Sequence, residues 1–416
     1  MMRGKKFIVS TMLLFILFVG STTQAFAASK SFMDQIRNEY VNFEKKSSAN
    51  YEKYHTKTVN DYEKYKNAEQ ASLDRFINQT KQDLNKLEQQ LKEDIAKLEA
   101  QYSGSKEHAS KLREYKSAVS ATSLSSPMSK YAQSINPTAL SSHMSKYRSA
   151  VNPTALSSPM NSYRMAVNQT GLSSPMNSYR IAVSETALSS PMSALRMESS
   201  STALSSVMAD YRRGKLTQKQ ARKQWDSIFA KEQKKLQNTI TKAKQDIEAT
   251  KEKTDNAILE QKSSTINGIL QQRAESLQAI SDLRATHFGQ GITFDALIPD
   301  LGVINIMVDG EWIATKQPPA IKDGEVMVPV RLVFETIDPS TKVAKKGNTV
   351  TIKKSNDNIV FTLNKNNYTI NNKASNFKVA PQLLNGQTMV PLQLVNEAFG
   401  PIAKYDSSKK TVFISK

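Results

Sequence analysis

No cysteine occurs anywhere in the 416 residues. That excludes disulfides, thiolate metal sites and a cysteine nucleophile, and leaves packing to hold the chain together. Histidine is nearly as scarce: His55, His108, His143 and His287 fall in four separate regions, so no imidazole cluster with metal-ligand spacing is expected. A Gly-x-Ser-x-Gly elbow, a glycine-rich phosphate loop and a His-Glu-x-x-His pair are all missing. Carboxylates abound, but on a charged helix they read as a solvated face. The chain is therefore expected not to be an enzyme, and no catalytic, cofactor-binding or metal residue is assigned. Beyond the amino terminus no apolar run is long enough to cross a bilayer, so no integral span is expected once a leader is removed.

Basic residues are in excess, 57 Lys and Arg against 38 Asp and Glu, for a formal charge of +19. Such a balance attracts polyanions: nucleic acid, anionic lipid or the phosphate-rich polymers of a bacterial wall. The amino terminus narrows the choice. "MMRGKK" is a basic start, "FIVSTMLLFILFVG" a short apolar run, and Ala25-Phe26-Ala27 a small-x-small cleavage site. A leader over 1–27 is expected, and with it a secreted protein associated with the wall or cell surface. Nucleic acid then falls away as a partner; an uncleaved anchor is the alternative reading.

From Ala28 to about residue 115 there is no proline, Gly104 is the one glycine, and Glu, Lys and Gln dominate, a composition that favours helix. Tyr40 and Phe43, Tyr51 and Tyr54, Tyr62 and Tyr65, Leu73 and Phe76, Leu84 and Leu87, Ile95 and Leu98 are pairs three apart, each eleven residues after the last. Eleven residues in three turns make a long helix with a nearly straight seam, and the seam needs a partner. Trp225, Leu236, Ile247, Ile258, Ile269 and Ile280 repeat the same period. A helical rod is expected, coiled-coil-like, with the two segments (28–115 and 215–286) paired antiparallel in one chain or parallel between chains.

Between them, over 116–214, lie six copies of a sixteen-residue unit. Leu124, Leu140, Leu156, Leu172, Leu188 and Leu204 keep the phase, as do Met128, Met144, Met160, Met176, Met192 and Met208; Tyr131, Tyr147, Tyr163, Tyr179 and Tyr211 keep it with Leu195 standing in once. Leu, Met, Tyr and Val at steps of four, three and four predict one helix face. Ser-Pro before Met reads as an N-cap with proline at the first helical position. Each unit is then a short helix, with a kinked run-through where His143 and Val207 replace proline. The methionines are expected to fill the seam rather than bind copper. Arg148, Arg164, Arg180, Arg196 and Arg212 set one cation per unit beside the Tyr position, a ladder suited to multivalent contact with an anionic polymer or, alternatively, to a solvated spacer.

After about residue 287 the period disappears and "VINIMVDGEWIA", "NTVTIKK", "NIVFTLN", "NYTINNK" and "KTVFISK" predict strands. Two helices, "PVRLVFETI" and "PLQLVNEAFG", interrupt them, and Asp309-Gly310 predicts a hairpin turn. Gly324 and Gly386, Val328-Pro329 and Val390-Pro391, Glu335 and Glu397, Thr349-Val350 and Thr411-Val412 reveal a duplication with an offset of 62. "DGEVMVPVRLVFETI", "NGQTMVPLQLVNEAFG" and "KYDSSKKTVFI" resemble the signature of the copper amine oxidase N-terminal-like domain, an α+β stalk module of exported Gram-positive proteins. The resemblance covers about residues 300–416 and picks out Pro329, Arg331, Glu335, Pro391, Glu397 and Asp406; Gln393 and Tyr405 depart from the pattern. It implies a stalk without copper or redox chemistry of its own.

The whole reads as α plus α+β: a helical rod with sixteen-residue repeats, then a small duplicated α+β domain over 287–416. The function expected is that of a non-catalytic envelope protein touching a cell-wall polymer or another envelope protein, with self-association through the rod as a further possibility. The alternative is a carbohydrate- or peptide-binding module that delivers or regulates a wall enzyme.

Overall fold

The computed structural model describes residues 22–355 and 357–416, with side chains from residue 29 on. A long helix α1 (Thr22–Gln101) is followed by α2 (Lys106–Ala118) and six short helices: α3 (Pro127–Ser134), α4 (His143–Ala150), α5 (Pro159–Val167), α6 (Pro175–Val183), α7 (Pro191–Ser199) and α8 (Val207–Arg212). A second long helix, α9 (Gln218–Phe288), leads to a β-rich region. The leader expected over 1–27 falls, but for the start of α1, outside the described residues. α1 is shorter than its composition predicts. The chain turns through Gly104 at φ +80°, a conformation that suits glycine, and Ser105 caps α2.

The described residues divide into two compact units, one of 22–58 and 168–246, the other of 59–167 and 247–416. In the second unit α1 and α9 are joined by Lys262–Glu69 (3.4 Å), Arg273–Asp83 (2.7 Å) and Arg284–Asp94 (2.8 Å). Partner numbers rise together, so the two helices are parallel within one chain, not antiparallel as their matched lengths suggested. The repeat layer supplies the reason, because it runs back along them: Tyr115 donates to Asp94, Tyr131 to Asp83 and Tyr147 to Glu69. In the first unit the same polarity appears in Arg222–Glu39 (2.7 Å) and the Phe43–Phe229 ring contact.

The two periods turn out to be one. Tyr115, Asp94 and Arg284 form a cluster; Tyr131, Asp83 and Arg273 form its copy, sixteen residues along the repeats and eleven along each long helix. Thr254 and Thr265 donate to the carbonyls of Pro159 and His143 with the same steps. In the first unit Tyr51 donates to Gln169 and Tyr40 to Glu185, eleven residues against sixteen once more. Eleven helical residues rise roughly 16.5 Å, and one sixteen-residue unit spans that rise. In each unit the repetition therefore builds a ladder in register with α1 and α9.

Each short helix begins at a serine whose hydroxyl accepts an N–H three residues on: Ser126, Ser142, Ser174, Ser190 and Ser206, with Ser158 doing so for Asn161. The cap suffices where proline is absent, so α4 and α8 are separate helices and not the kinked run-throughs their sequence suggested. The repeat methionines are all 0% exposed. The leucines are not on the buried face. Each sits at a loop tip before the helix, 93% exposed at Leu188 and 98% at Leu140 and Leu172. The misreading came from continuing the helical period upstream of the cap, where a hydrogen-bonded loop turns the chain.

The β-rich region belongs to the second unit. β1 (Asn305–Val308), β2 (Glu311–Trp312), β12 (Ala403–Asp406) and β13 (Thr411–Ile414) form one sheet in the order β12-β13-β1-β2, with β1 and β13 parallel. β3 (Ala320–Lys322), β4 (Glu325–Pro329), β10 (Gln382–Leu384) and β11 (Gln387–Pro391) form a second, ordered β10-β11-β4-β3. β5 (Lys342–Lys346), β6 (Thr349–Lys354), β7 (Asp357–Thr362), β8 (Asn367–Ile370) and β9 (Lys373–Asn376) make an antiparallel meander. α10 (Val330–Ile337) and α11 (Leu392–Phe399) follow β4 and β11. Val328 lies opposite Val390 in the antiparallel β4–β11 pair, so the two halves meet at residues 62 apart. Val328, Val390, Phe334, Ile352, Phe361 and Val412 lie in one core. Asp309 and Gly310, both at positive φ, make the expected hairpin turn.

Candidate binding surfaces

The loops of the repeat layer are built from short polar side chains. Asn136, Asn152 and Asn168 each accept from the N–H and hydroxyl of a threonine two residues on, the turn that asparagine favours. The capping serine also donates back to the carbonyl six residues earlier, as in Ser126 to Ser120 and Ser142 to Asn136, both 2.6 Å. Residue types that prefer local hydrogen bonds over helix thus close the loop from inside.

Four of the five arginines of the ladder brace these loops. Arg148, Arg164, Arg180 and Arg196 donate to the carbonyls of Pro137, Pro153, Gln169 and Glu185, each eleven residues earlier. Arg164 and Arg180 also clasp the carboxamide oxygens of Asn161 and Asn177. Arg164 is half-buried; the other three are exposed. Arg212 is exposed too, and in its unit Arg213 takes the bracing role, donating to the Leu204 carbonyl and to Asp210. A guanidinium has five N–H donors in a fixed fork, and the bracing bonds hold each head in place.

In the second unit a cleft of about 780 Å³ lies between the long helices and the β-rich region, lined by Tyr65, Arg75, Asp255, Lys262, Trp312 and Lys316 among others. Its walls are tied together: Asn267 bonds the backbone of Trp312 in both directions, and Gln79 bonds Ile298 and Asp300. Asp255 is its most unusual group. Burial holds its pKa above the ordinary carboxylate value, although the Tyr65 hydroxyl and nearby lysines oppose the shift, and its Oδ1 has no hydrogen-bond partner. A buried acceptor left open in this way suits a ligand donor such as a hydroxyl or amide.

The six family-motif positions act locally. Pro329 and Pro391 end β4 and β11 and start α10 and α11. Arg331 donates to the Val343 carbonyl (2.9 Å) and lies 3.9 Å from Glu335. Glu397 accepts from Tyr368 and Gln393. Asp406 accepts from Ser408 and Lys409, bonds that hold its pKa down. Among the described residues no cluster of three metal-ligating side chains occurs, and no helix is long and apolar enough to cross a membrane. Residue-level reasoning missed the Tyr–Asp–Arg clusters and the loop bracing. The clusters were signalled by Asp83, Asp94, Arg273 and Arg284, which share the eleven-residue period, and by Tyr115, which keeps the sixteen-residue phase.

Residues 307–414 match the family model of the copper amine oxidase N-terminal domain, as their doubled motif suggested. That domain is non-catalytic and stalk-like. No curated protein and no solved structure matches the chain.

Proposed function

We infer that the chain is an exported, non-catalytic envelope protein of a Gram-positive bacterium, in which the repeat layer serves as a basic spacer against anionic wall polymers. The observation that carries this reading is the bracing of Arg148, Arg164, Arg180 and Arg196 by the loop carbonyls. Cations held in place at a regular step bind a polyanion with less ordering cost than free side chains. The test is co-sedimentation of the chain from Ala28 onward with isolated Gram-positive walls, at low salt and at about 0.5 M, where screening is short. Binding released by salt and weakened by Arg→Gln at the four positions supports the reading; absence of binding at low salt overturns it.

The open acceptor at Asp255 favours a second reading, a carbohydrate- or peptide-binding module with its site in the cleft. It predicts binding that persists at high salt and is lost in Asp255→Ala.

A further inference from the structure

Leu124, Leu140, Leu156, Leu172, Leu188 and Leu204 are each more than 90% exposed. The residue before them is Ser, Ala or Gly, and the proline after them is twice replaced, yet leucine stands at all six tips. The repeat methionines are equally constant, and burial explains them. No contact within the chain explains the leucines. A lone exposed leucine is unremarkable; six at equivalent positions of one sequence require something that covers them.

Within each compact unit successive repeats dock alike, so the three tips of that unit leave its repeat layer on one side. Leu140 and Leu156 precede helices whose first carbonyls meet Thr265 and Thr254, three turns apart on α9. Leu172 and Leu188 follow Gln169 and Glu185, which meet Tyr51 and Tyr40, three turns apart on α1. Neighbouring tips within a unit are thus roughly 16.5 Å from one another, single, convex and flanked by serine. They form no continuous apolar face for the core of a protein interface. A fluid hydrocarbon phase wraps each tip separately. The charge beside them agrees: residues 119–214 hold eight basic side chains against three acidic ones, Glu185, Glu198 and Asp210. A braced arginine is bonded to the same loop as the tip in four repeats, and Arg213 to the Leu204 carbonyl itself. The like charge disfavours a second copy of the ladder, and a soluble polyanion offers nothing to leucine.

We propose that the loop tips of each compact unit are a peripheral membrane-docking surface, the leucines entering the acyl boundary of an anionic bilayer while the adjacent arginines meet its headgroups. The proposal rests on the leucines, which the wall-polymer reading does not use, and shares the arginines with it. The hydrophobic part scales with buried apolar area and the electrostatic part with anionic lipid.

The test uses the chain from Ala28 onward, free of the apolar run that would itself partition, and vesicles of phosphatidylcholine with or without about a third phosphatidylglycerol. Binding is expected only with the anionic lipid, and changing all six leucines to serine lowers partitioning roughly a hundredfold or more. Because the side chains are solvent-exposed, the variant keeps its helical circular dichroism. Leu172→Trp places a reporter at one tip, expected to be quenched by brominated acyl chains, while Trp225 and Trp312, buried at 1% and 5% exposure, are not. Binding that survives the six serines, or that free polyphosphate abolishes without any acyl-chain quenching, overturns the proposal in favour of a phosphate site. Leucine-dependent dimerisation in sedimentation, or no vesicle binding at all, overturns it as well.

Discussion

The helical layers and the C-terminal α+β region bury different kinds of groups. In the α+β region the core is aliphatic and aromatic: Val328, Phe334, Ile352, Ile359 and Val390 are all 0% exposed. The layers bury methionines in a row and aliphatic residues such as Leu91, Ile258 and Ile269, and add a set of polar ties that those core residues lack, tyrosine hydroxyls on carboxylates and guanidinium groups, as at Tyr131, Asp83 and Arg273. An apolar core gains from burial whatever its internal details, provided its volume is filled. A polar seam gains only when each partner arrives at its place, because an unmet buried group costs about 1–3 kcal/mol. One region encodes a shape and the other a register.

A deletion breaks this comparison most sharply. Removing residues 170–185 takes out one repeat of the first unit and shifts every later unit against α1 and α9. The melting temperature should fall by roughly 10 °C or more, since several buried polar partners are lost together. Removing 41–51 and 233–243 as well deletes eleven residues from each long helix and restores the match; Tyr40 then meets the loop begun by Gln169. Circular dichroism melts that leave the triple deletion as unstable as the single one would refute the shared register.

Alkaline titration separates the regions next. Burial raises the pKa of Tyr40, Tyr51, Tyr62, Tyr65, Tyr115, Tyr131, Tyr147 and Tyr179, all in the helical layers, to about 12 for Tyr51 and Tyr62. In the α+β region burial pushes Tyr368 up to about 12. A raised pKa means the folded state holds the proton more tightly. Its stability contribution is complete below the unfolded value near pH 10 and is lost as pH rises through the folded one. The helical dichroism should therefore collapse as pH rises above about 10, with the rise of phenolate absorbance, while the infrared amide band of the β-sheets changes later.

Buried ion pairs come third. Arg273 is 8% exposed and Asp83 12%, so Arg273→Ala leaves a carboxylate without its partner and should cost about 3–5 kcal/mol in denaturant unfolding. Phe334→Ala in the α+β core should cost a similar amount by opening a cavity. The two differ in repair. Replacing Arg273, Asp83 and Tyr131 together by Met, Leu and Phe removes the charges and the hydroxyl at once and should recover most of the loss; no polar partner exists to remove beside Phe334.

The same contrast explains what the sequence disclosed. Periods of eleven and sixteen are visible because buried Leu, Met, Tyr and Ile recur where a seam needs them, and the doubled Val-Pro motif exposes the α+β duplication. Helix direction was hidden, since a hydrophobic stripe reads the same from either end; the charges that fix it, Asp83 with Arg273 and Asp94 with Arg284, become informative only when both periods are treated as one lattice. Leu124 and its copies were placed on a buried face because periodicity does not mark where a Ser-Asn-Thr loop overrides it. The cleft around Asp255 joins residues from both long helices and from β2, a meeting that no local pattern announces.

The smallest prediction bears on which part of a tyrosine sets the register. Tyr51 packs its ring edge-on against Tyr179, centroids 5.1 Å apart, and donates to Gln169 at 3.0 Å. Tyr51→Phe keeps the ring contact and removes the hydroxyl, so about 1 kcal/mol should be lost. Gln169 is partly solvated, and water replaces the lost donor, which keeps the cost near the low end. Tyr51→Ala removes the ring and should cost about 3–5 kcal/mol. A double-mutant cycle of Tyr51→Phe with Gln169→Leu isolates the bond, with an expected coupling of about 0.5–1.5 kcal/mol. If phenylalanine proves as damaging as alanine, the hydroxyl rather than the ring holds the loop to α1, and the seam is polar in its energetics as well as in its composition.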